Sequence, residues 1–190
     1  MSRVVIVGVG ALGSHVAPLL RNVARLEIVD MDRVEQKNTL SQFHARNSVG
    51  KNKTTALQQA MNFLWGTKVD AVPHKLVENN VQQLLGGVDL VLDCLDNGEG
   101  RRTIQGFVRG NDIPCLHGAL AADGAFGQVV WDEDFRIDDD ASGGATCEDG
   151  EHLPFIGLVS AHIAQAAQVF LSSGKKLGFQ LYPRGASTRI

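Results

Sequence analysis

Short apolar runs alternate with amphipathic stretches through most of this 190-residue chain, and the alternation sets the elements to expect. Residues 3–7 (Arg-Val-Val-Ile-Val) form an apolar run of strand length that stops at glycines. Residues 12–22 carry apolar positions at helical spacing, with Pro18 as an expected irregularity. A second strand is expected at 26–29, ending at Asp30. The polar stretch 33–52 is long enough to suggest a functional loop or short helical pieces. A helix over 54–64 and a short strand at 68–73 come next. A helix over 77–85, stopped by Gly86-Gly87, leads into a buried strand at 88–94. The helix 100–109 and the strand 113–118 complete the series.

Such alternation gives a mostly parallel sheet with helices on both faces. The character changes after Gly118. Residues 127–131 read as a strand in an antiparallel extension, and 132–150 as an acidic, glycine-containing mobile surface segment. Residues 153–171 are rich in apolar and small side chains and are expected to form a long, well-buried helix. The tail can add a strand at 178–182 before becoming disordered. With no internal repeat or low-complexity tract, a single domain over 1–190 is expected, its core at 1–118 and its extension at 119–190.

Composition narrows the class without choosing a function. At 44% hydrophobic residues the chain can bury one sizeable core. A net charge of −3 and a pI near 6.0 argue against nucleic acid as a partner. No window reaches the roughly 18 uninterrupted apolar residues of a membrane span. No signal-peptide pattern precedes the first strand. Cys94, Cys115 and Cys147 are odd in number and lack C-x-x-C spacing. That argues against a disulfide framework and a structural zinc site, and a reducing cytoplasm fits best. Cys94 and Cys115 lie in apolar strands and are expected in the core. Phe63 and Trp65 read as core or interface, and the six histidines show no metal-ligand spacing.

Candidate chemistry begins at Gly8-Val9-Gly10-Ala11-Leu12-Gly13, a G-x-G-x-x-G that leaves a strand and opens a helix. Gly8, Gly10 and Gly13 let the backbone turn tightly, approach phosphate oxygens and pack the helix on the sheet. The helix start offers unpaired N–H groups and a positive dipole end to phosphate. Asp30, at the end of the second strand, stands where a carboxylate accepts hydrogen bonds from ribose hydroxyls. The glycines alone are a weak signal; the flanking strand, helix and acid turn them into a nucleotide site. The expected fold is therefore α/β and Rossmann-like, and to this point NAD fits as well as ATP.

Four further groups accompany the glycines: Asp30-Met31-Asp32 with Asn38 and Gln42; Val49-Gly50-Lys51-Asn52-Lys53; Asp93-Cys94-Leu95-Asp96-Asn97 with Arg101; and Thr146-Cys147 before the long helix. In this order, with the G-x-x-G-Q at 124–128, they resemble the E1-like activating enzymes. That superfamily holds the thiamin- and molybdopterin-pathway adenylyltransferases and the ubiquitin-activating enzymes. The resemblance implies ATP rather than NAD, with Asp30 on the ribose, Lys53 on the phosphates and Asp96 as the Mg²⁺-binding aspartate. Asp32, Asn38 and Asn97 match further nucleotide-site positions. The implied reaction is attack of a carboxylate on the α-phosphorus of ATP, making an acyl-adenylate on the C-terminus of a small ubiquitin-like or sulfur-carrier protein. An ammonium and a metal ion would offset charge on the phosphates. Cys147 matches a position that in several members takes up the activated carrier as a thioester or persulfide. A homodimer is implied, with the helix 153–171 a contributor to the contact.

Two departures stand against full activity. Ser41 occupies the place of an arginine in the family's N-x-x-R-Q pattern, and a hydroxyl supplies neither charge nor a bidentate fork to phosphate. Arg46 lies a few residues on. Read as it stands, the chain also opens on its first strand, without the helical segment that brings a second arginine across the dimer in many relatives. The paired C-x-x-C zinc motifs of other members are absent as well. The alternatives are a catalytically degenerate subunit that binds nucleotide or carrier without turnover, and an NAD-dependent oxidoreductase.

Overall fold

The computed structural model describes residues 2–137 and 150–183, together with the backbone of 187–189. Five parallel strands lie side by side in the order β3-β2-β1-β4-β5: β1 is Arg3–Val7, β2 Arg25–Val29, β3 Asp70–Val72, β4 Leu90–Asp93 and β5 Cys115–Leu120. Beyond β5 the sheet continues antiparallel through β6 (Gly127–Trp131), β7 (Phe179–Leu181) and β8 (Ser187–Arg189). The helices are α1 (Gly13–Leu19), α2 (Lys53–Trp65), α3 (Glu78–Leu85), α4 (Gly98–Gly110) and α5 (Leu153–Ser173). The α/β architecture read from the alternation, with its antiparallel extension, is the one observed.

The period-two geometry of a strand divides each apolar run between two layers. Val4 and Ile6 pack with Leu26, Ile28, Leu90 and Leu92 against α1, α2 and α5. Val5 and Val7 point the other way, to a second cluster with Val91 and Cys115 beneath α3 and α4. A strand buried on both faces has no polar alternation, which is why these segments read as continuous apolar runs. By length and composition α5 would pass for a membrane span. It packs as a core helix: Ile156, Val159, Ile163, Ala166 and Ala167 are buried in the first cluster.

One inward charge is an exception, and it is paired. Arg3 Nε and Nη2 donate to the two carboxylate oxygens of Glu27 at 2.7 and 3.0 Å, a bidentate pair spanning β1 and β2. The remaining guanidinium hydrogens reach the carbonyls of Leu84 and Gly86 at 3.1 and 2.9 Å, holding the end of α3.

Several boundaries move. Pro18 has no N–H for the helical ladder, and α1 ends at Leu19 rather than near residue 22. The polar stretch folds into two 3₁₀ turns, Gln36–Leu40 and Arg46–Ser48. Residues 132–137 are not the mobile surface expected, because Asp132 and Phe135 are buried against β5. The tail does not simply fray: 187–189 pair with the open edge of β7. Phe63 is 87% exposed and so not in the core, while Trp65 stacks on Phe43 at 6.2 Å. Cys94 and Cys115 are buried as expected, and burial pushes both thiols up.

Replacing Arg3 by alanine leaves the buried carboxylate of Glu27 with the exposed Arg25, whose Nε lies 3.0 Å from Oε1, and frees two carbonyls. With Arg25 still on the acid, we expect Arg3→Ala to lower the unfolding free energy by about 2 kcal/mol in urea titration, less than the loss of a sole partner would.

Candidate functional site

The chain leaves β1 toward β2 on one side, whereas β4 leads to β5 on the other. The switch point of the sheet therefore falls at the carboxyl ends of β1 and β4, the place where open α/β sheets bind ligands. Two glycines let the loops close over it. Gly8 has φ +88°, its N–H donates to Val29 O at 2.8 Å, and a Cβ there would lie 2.9 Å from Cys94 O. A Cβ on Gly13 would fall 1.9 Å from Gly8 O, so α1 can start hard against the loop only with glycine. Gly10 faces Gln42.

Asp30 organises the next layer. Its two carboxylate oxygens accept N–H bonds from Val9 and Asp32, both at 2.8 Å, so the acid at the end of β2 is tied to the glycine loop itself. Burial raises its pKa, against the lowering effect of those two N–H bonds. Asn52 then locks this acidic turn to α2. Its amide nitrogen reaches the carbonyls of Asp30, Met31 and Asp32 at 3.1 to 3.4 Å. Its Oδ1 accepts from Thr54 N–H at 3.0 Å and caps the helix. Lys53 follows as the first helical residue, buried, with Nζ 3.1 Å from Asp32 Oδ2. The structure therefore brings together Gly8, Gly10, Gly13, Asp30, Asp32 and Lys53. Asn52 belongs with them, and its signal was an N-cap residue directly before a helix.

Other expected residues hold backbone. Asn38 is buried, and its Oδ1 accepts the Glu35 N–H at 2.8 Å inside the first 3₁₀ turn. Asn97 caps α4 through the Gly100 N–H at 2.8 Å. Asp96, one residue before, is exposed at the carboxyl end of β4. Among the described residues, no group of three histidine, cysteine or acidic side chains could hold a metal ion unaided. A lone exposed carboxylate suits Mg²⁺, which takes one or two carboxylates and the phosphates of its ligand. Cys147 lies outside the described residues.

The segment 41–44 closes the site from the α1 side. The Phe43 N–H donates to Ser14 Oγ at 2.9 Å, and His15 Nε2 donates to Ser41 O at 3.0 Å. His44 Nε2 donates to Val9 O at 3.1 Å, leaving Nδ1 as a bare acceptor; burial holds its pKa down, at about 4. Ser41 Oγ, Gln42 Oε1 and His44 Nδ1 are buried without a partner. Two of these three atoms can only accept and the third is a hydroxyl, so unpaired polar atoms beside the glycine loop fit a hydroxyl-bearing ligand better than an apolar one.

A second buried cluster underlies the β4 turn and was missed in the sequence. His117 on β5 sits between two carboxylates, Nδ1 2.7 Å from Asp93 Oδ2 and Nε2 3.0 Å from Asp132 Oδ1. Its ring stacks on Phe135 at 4.1 Å. Arg109 pairs with Asp132 at 2.6 Å, and Arg101 lies 3.8 Å from Asp93 while bonding to the carbonyls of Leu95 and Gly118. Burial opposes the charge on His117, but the hydrogen bonds to Asp132 and Asp93 raise its pKa to about 11. Burial also opposes ionisation of Asp132, and the bonds from His117, Arg109 and Gln105 outweigh it, bringing that carboxyl to about 2.

A parallel sheet with its switch point between β1 and β4, a glycine cradle, an acid on that cradle and a lysine facing it together define a Rossmann-like nucleotide-binding domain. The chain belongs to the ThiF family of the E1-like superfamily, whose family pattern matches residues 1–175. It is 34% identical over 126 residues to the SAMP-activating enzyme E1 of Haloferax volcanii, covering 63% of this chain and 46% of that protein. It is 31% identical over 188 residues to the adenylyltransferase and sulfurtransferase MOCS3 of Caenorhabditis briggsae, covering 92% of this chain and 46% of that one. The chain thus spans about half the length of the curated relatives it matches. Among solved structures, E. coli MccB shares the fold with a TM-score of 0.81 at 14% identity, covering 100% of this chain and 62% of MccB.

Two outcomes follow from this geometry. A methyl group at Gly13 must displace backbone rather than a flexible side chain, so Gly13→Ala should lower the unfolding free energy by about 1–3 kcal/mol in urea. His44 titrates at about 4 in the fold against 6.5 ordinarily, so its contribution is complete above 6.5 and is lost as the pH falls through 4. The urea midpoint of the wild type should therefore fall more steeply between pH 6.5 and 4 than that of His44→Gln.

Proposed function

We propose that this chain uses ATP to adenylate the C-terminal carboxylate of a small ubiquitin-like or sulfur-carrier protein. The observation that carries the reading is Lys53, buried and aimed across Asp32 at the loop that Asp30 ties to the glycine cradle. Membership of the ThiF family supports it, as do relatives named as activators of such carriers, among them the sulfur carrier protein adenylyltransferase of Thermus thermophilus.

In this reading the α1 start and the glycine backbone hold phosphate oxygens. Asp30 takes the ribose hydroxyls. Lys53 turns from Asp32 to the phosphates, which carry more charge than one carboxylate. Asp96 would hold Mg²⁺, and Mg²⁺ when bound offsets phosphate charge. The carrier carboxylate, held next to the α-phosphorus, forms a new P–O bond as the bond to the bridging oxygen breaks and pyrophosphate leaves. Cys147 would then displace AMP as a thiolate, forming a thioester. No zinc is required, and a homodimer in the cytoplasm is the assembly and setting that go with this reading.

A second reading is favoured by Ser41, which is buried and uncharged where the family pattern has an arginine. On it, the chain binds nucleotide and carrier for a partner subunit and does not turn over. The two readings separate in one experiment: Mg²⁺-dependent exchange of labelled pyrophosphate into ATP, with carriers ending in a C-terminal glycine. Adenylation predicts exchange, reduced about 100-fold by Lys53→Ala or Asp96→Asn. ATP binding without exchange would favour the supporting subunit, and absence of both would overturn each reading.

A further inference from the structure

We infer that His117 is a positioning residue: a doubly protonated imidazolium that bridges Asp93 and Asp132 and, through Asp93, fixes the turn that presents Asp96. Its geometry determines its charge. Both ring nitrogens face carboxylate oxygens, at 2.7 and 3.0 Å, and an ionised carboxylate only accepts. A neutral imidazole would set a lone pair against one of them. The surroundings of the ring agree. From α4 it meets Gln105, which donates to Asp132 Oδ1 at 2.9 Å, with Arg101 and Arg109 each beside one carboxylate. From its own strand it meets Cys115 Sγ at 3.5 Å, and the face of Phe135 covers it.

Asp93 carries the effect outward. Its carboxylate is fully buried, and Oδ1 accepts the Leu95 N–H at 3.0 Å, closing the turn that leads to Asp96 and Asn97. Oδ2 has one close partner, the His117 Nδ1–H; Arg101 stands 3.8 Å away and spends its hydrogens on the carbonyls of Leu95 and Gly118. Without His117, the carboxylate that shapes the turn keeps, among the described residues, no short side-chain donor on Oδ2. Groups bonded directly to a metal ligand are worth about 10–100-fold in affinity or activity; His117 acts through Asp93 and the Leu95 turn, which puts it at the low end, about 10-fold. That last step rests on the adenylation reading; the clamp itself does not.

The test therefore has two arms. Side-chain ¹⁵N NMR of the wild-type chain should show both His117 nitrogens protonated from pH 6 to pH 9, and this arm needs no variant. In His117→Gln the amide signals of Leu95, Asp96 and Asn97 should shift, and the Mg²⁺ concentration giving half-maximal pyrophosphate exchange should rise about 10-fold. Asp132→Asn keeps the Asp93–His117 bond. It should leave that concentration within about threefold even where its melting temperature falls as far, which a purely structural role for His117 would not allow. A neutral His117 at pH 8 overturns the inference, as do unmoved turn amides in His117→Gln or equal Mg²⁺ effects in the two variants. Imidazolium signals and shifted turn amides in a chain that binds no ATP would uphold the clamp and overturn the adenylation reading alone.

Discussion

Everything at the switch point depends on how closely three stretches of backbone approach one another. The carbonyl of Gly8 lies where a Cβ of Gly13 would be, and a Cβ of Gly8 would crowd the carbonyl of Cys94. That approach places the start of α1, the end of β1 and the turn after β4 around one small volume. That volume is filled by backbone and by the side chains of Ile6 and Leu95, so both glycines are needed for the three stretches to meet.

The charged and polar residues around the glycine loop hold each other. Asp30 is occupied by two N–H groups, Lys53 by Asp32, and Asn52 by three carbonyls on one side and the α2 start on the other. A buried lysine with a half-exposed aspartate is a modest pair, because water reaches the acid and weakens it. Such a pair is easily broken. Asp30 is different: its oxygens are fixed by backbone, so it holds position with or without a partner.

The second cluster shows the opposite design. Asp93, His117 and Asp132 lie one behind another from β4 through β5 to the end of β6, with an arginine at each end. Removing any one member leaves a charge in the interior without its partner, so the group is rigid rather than exchangeable. Asp93 opens the turn toward Asp96 and belongs to both clusters. The motif around Asp96 is thus shaped from below as well as by its own sequence.

Much of this was legible in the order of residues. The alternation of apolar runs announced the parallel sheet, because a strand covered on both faces leaves no room for polar alternation. The glycine spacing, Asp30 and the Lys53 segment announced the cradle, because local chain geometry alone brings a strand, a tight turn and a helix start together. Asn97 and Asn38 stood out only through the family resemblance, and the structure gives their side chains to backbone capping. What only the tertiary structure decided is pairing across the sheet. Residues 93, 117 and 132 show no spacing rule; they meet because β4 and β5 run in parallel register with Asp93 opposite His117, and β6 returns antiparallel with Val130 opposite His117 and Asp132 two residues on. Strand registry depends on the packing of the whole sheet, and no single segment carries it.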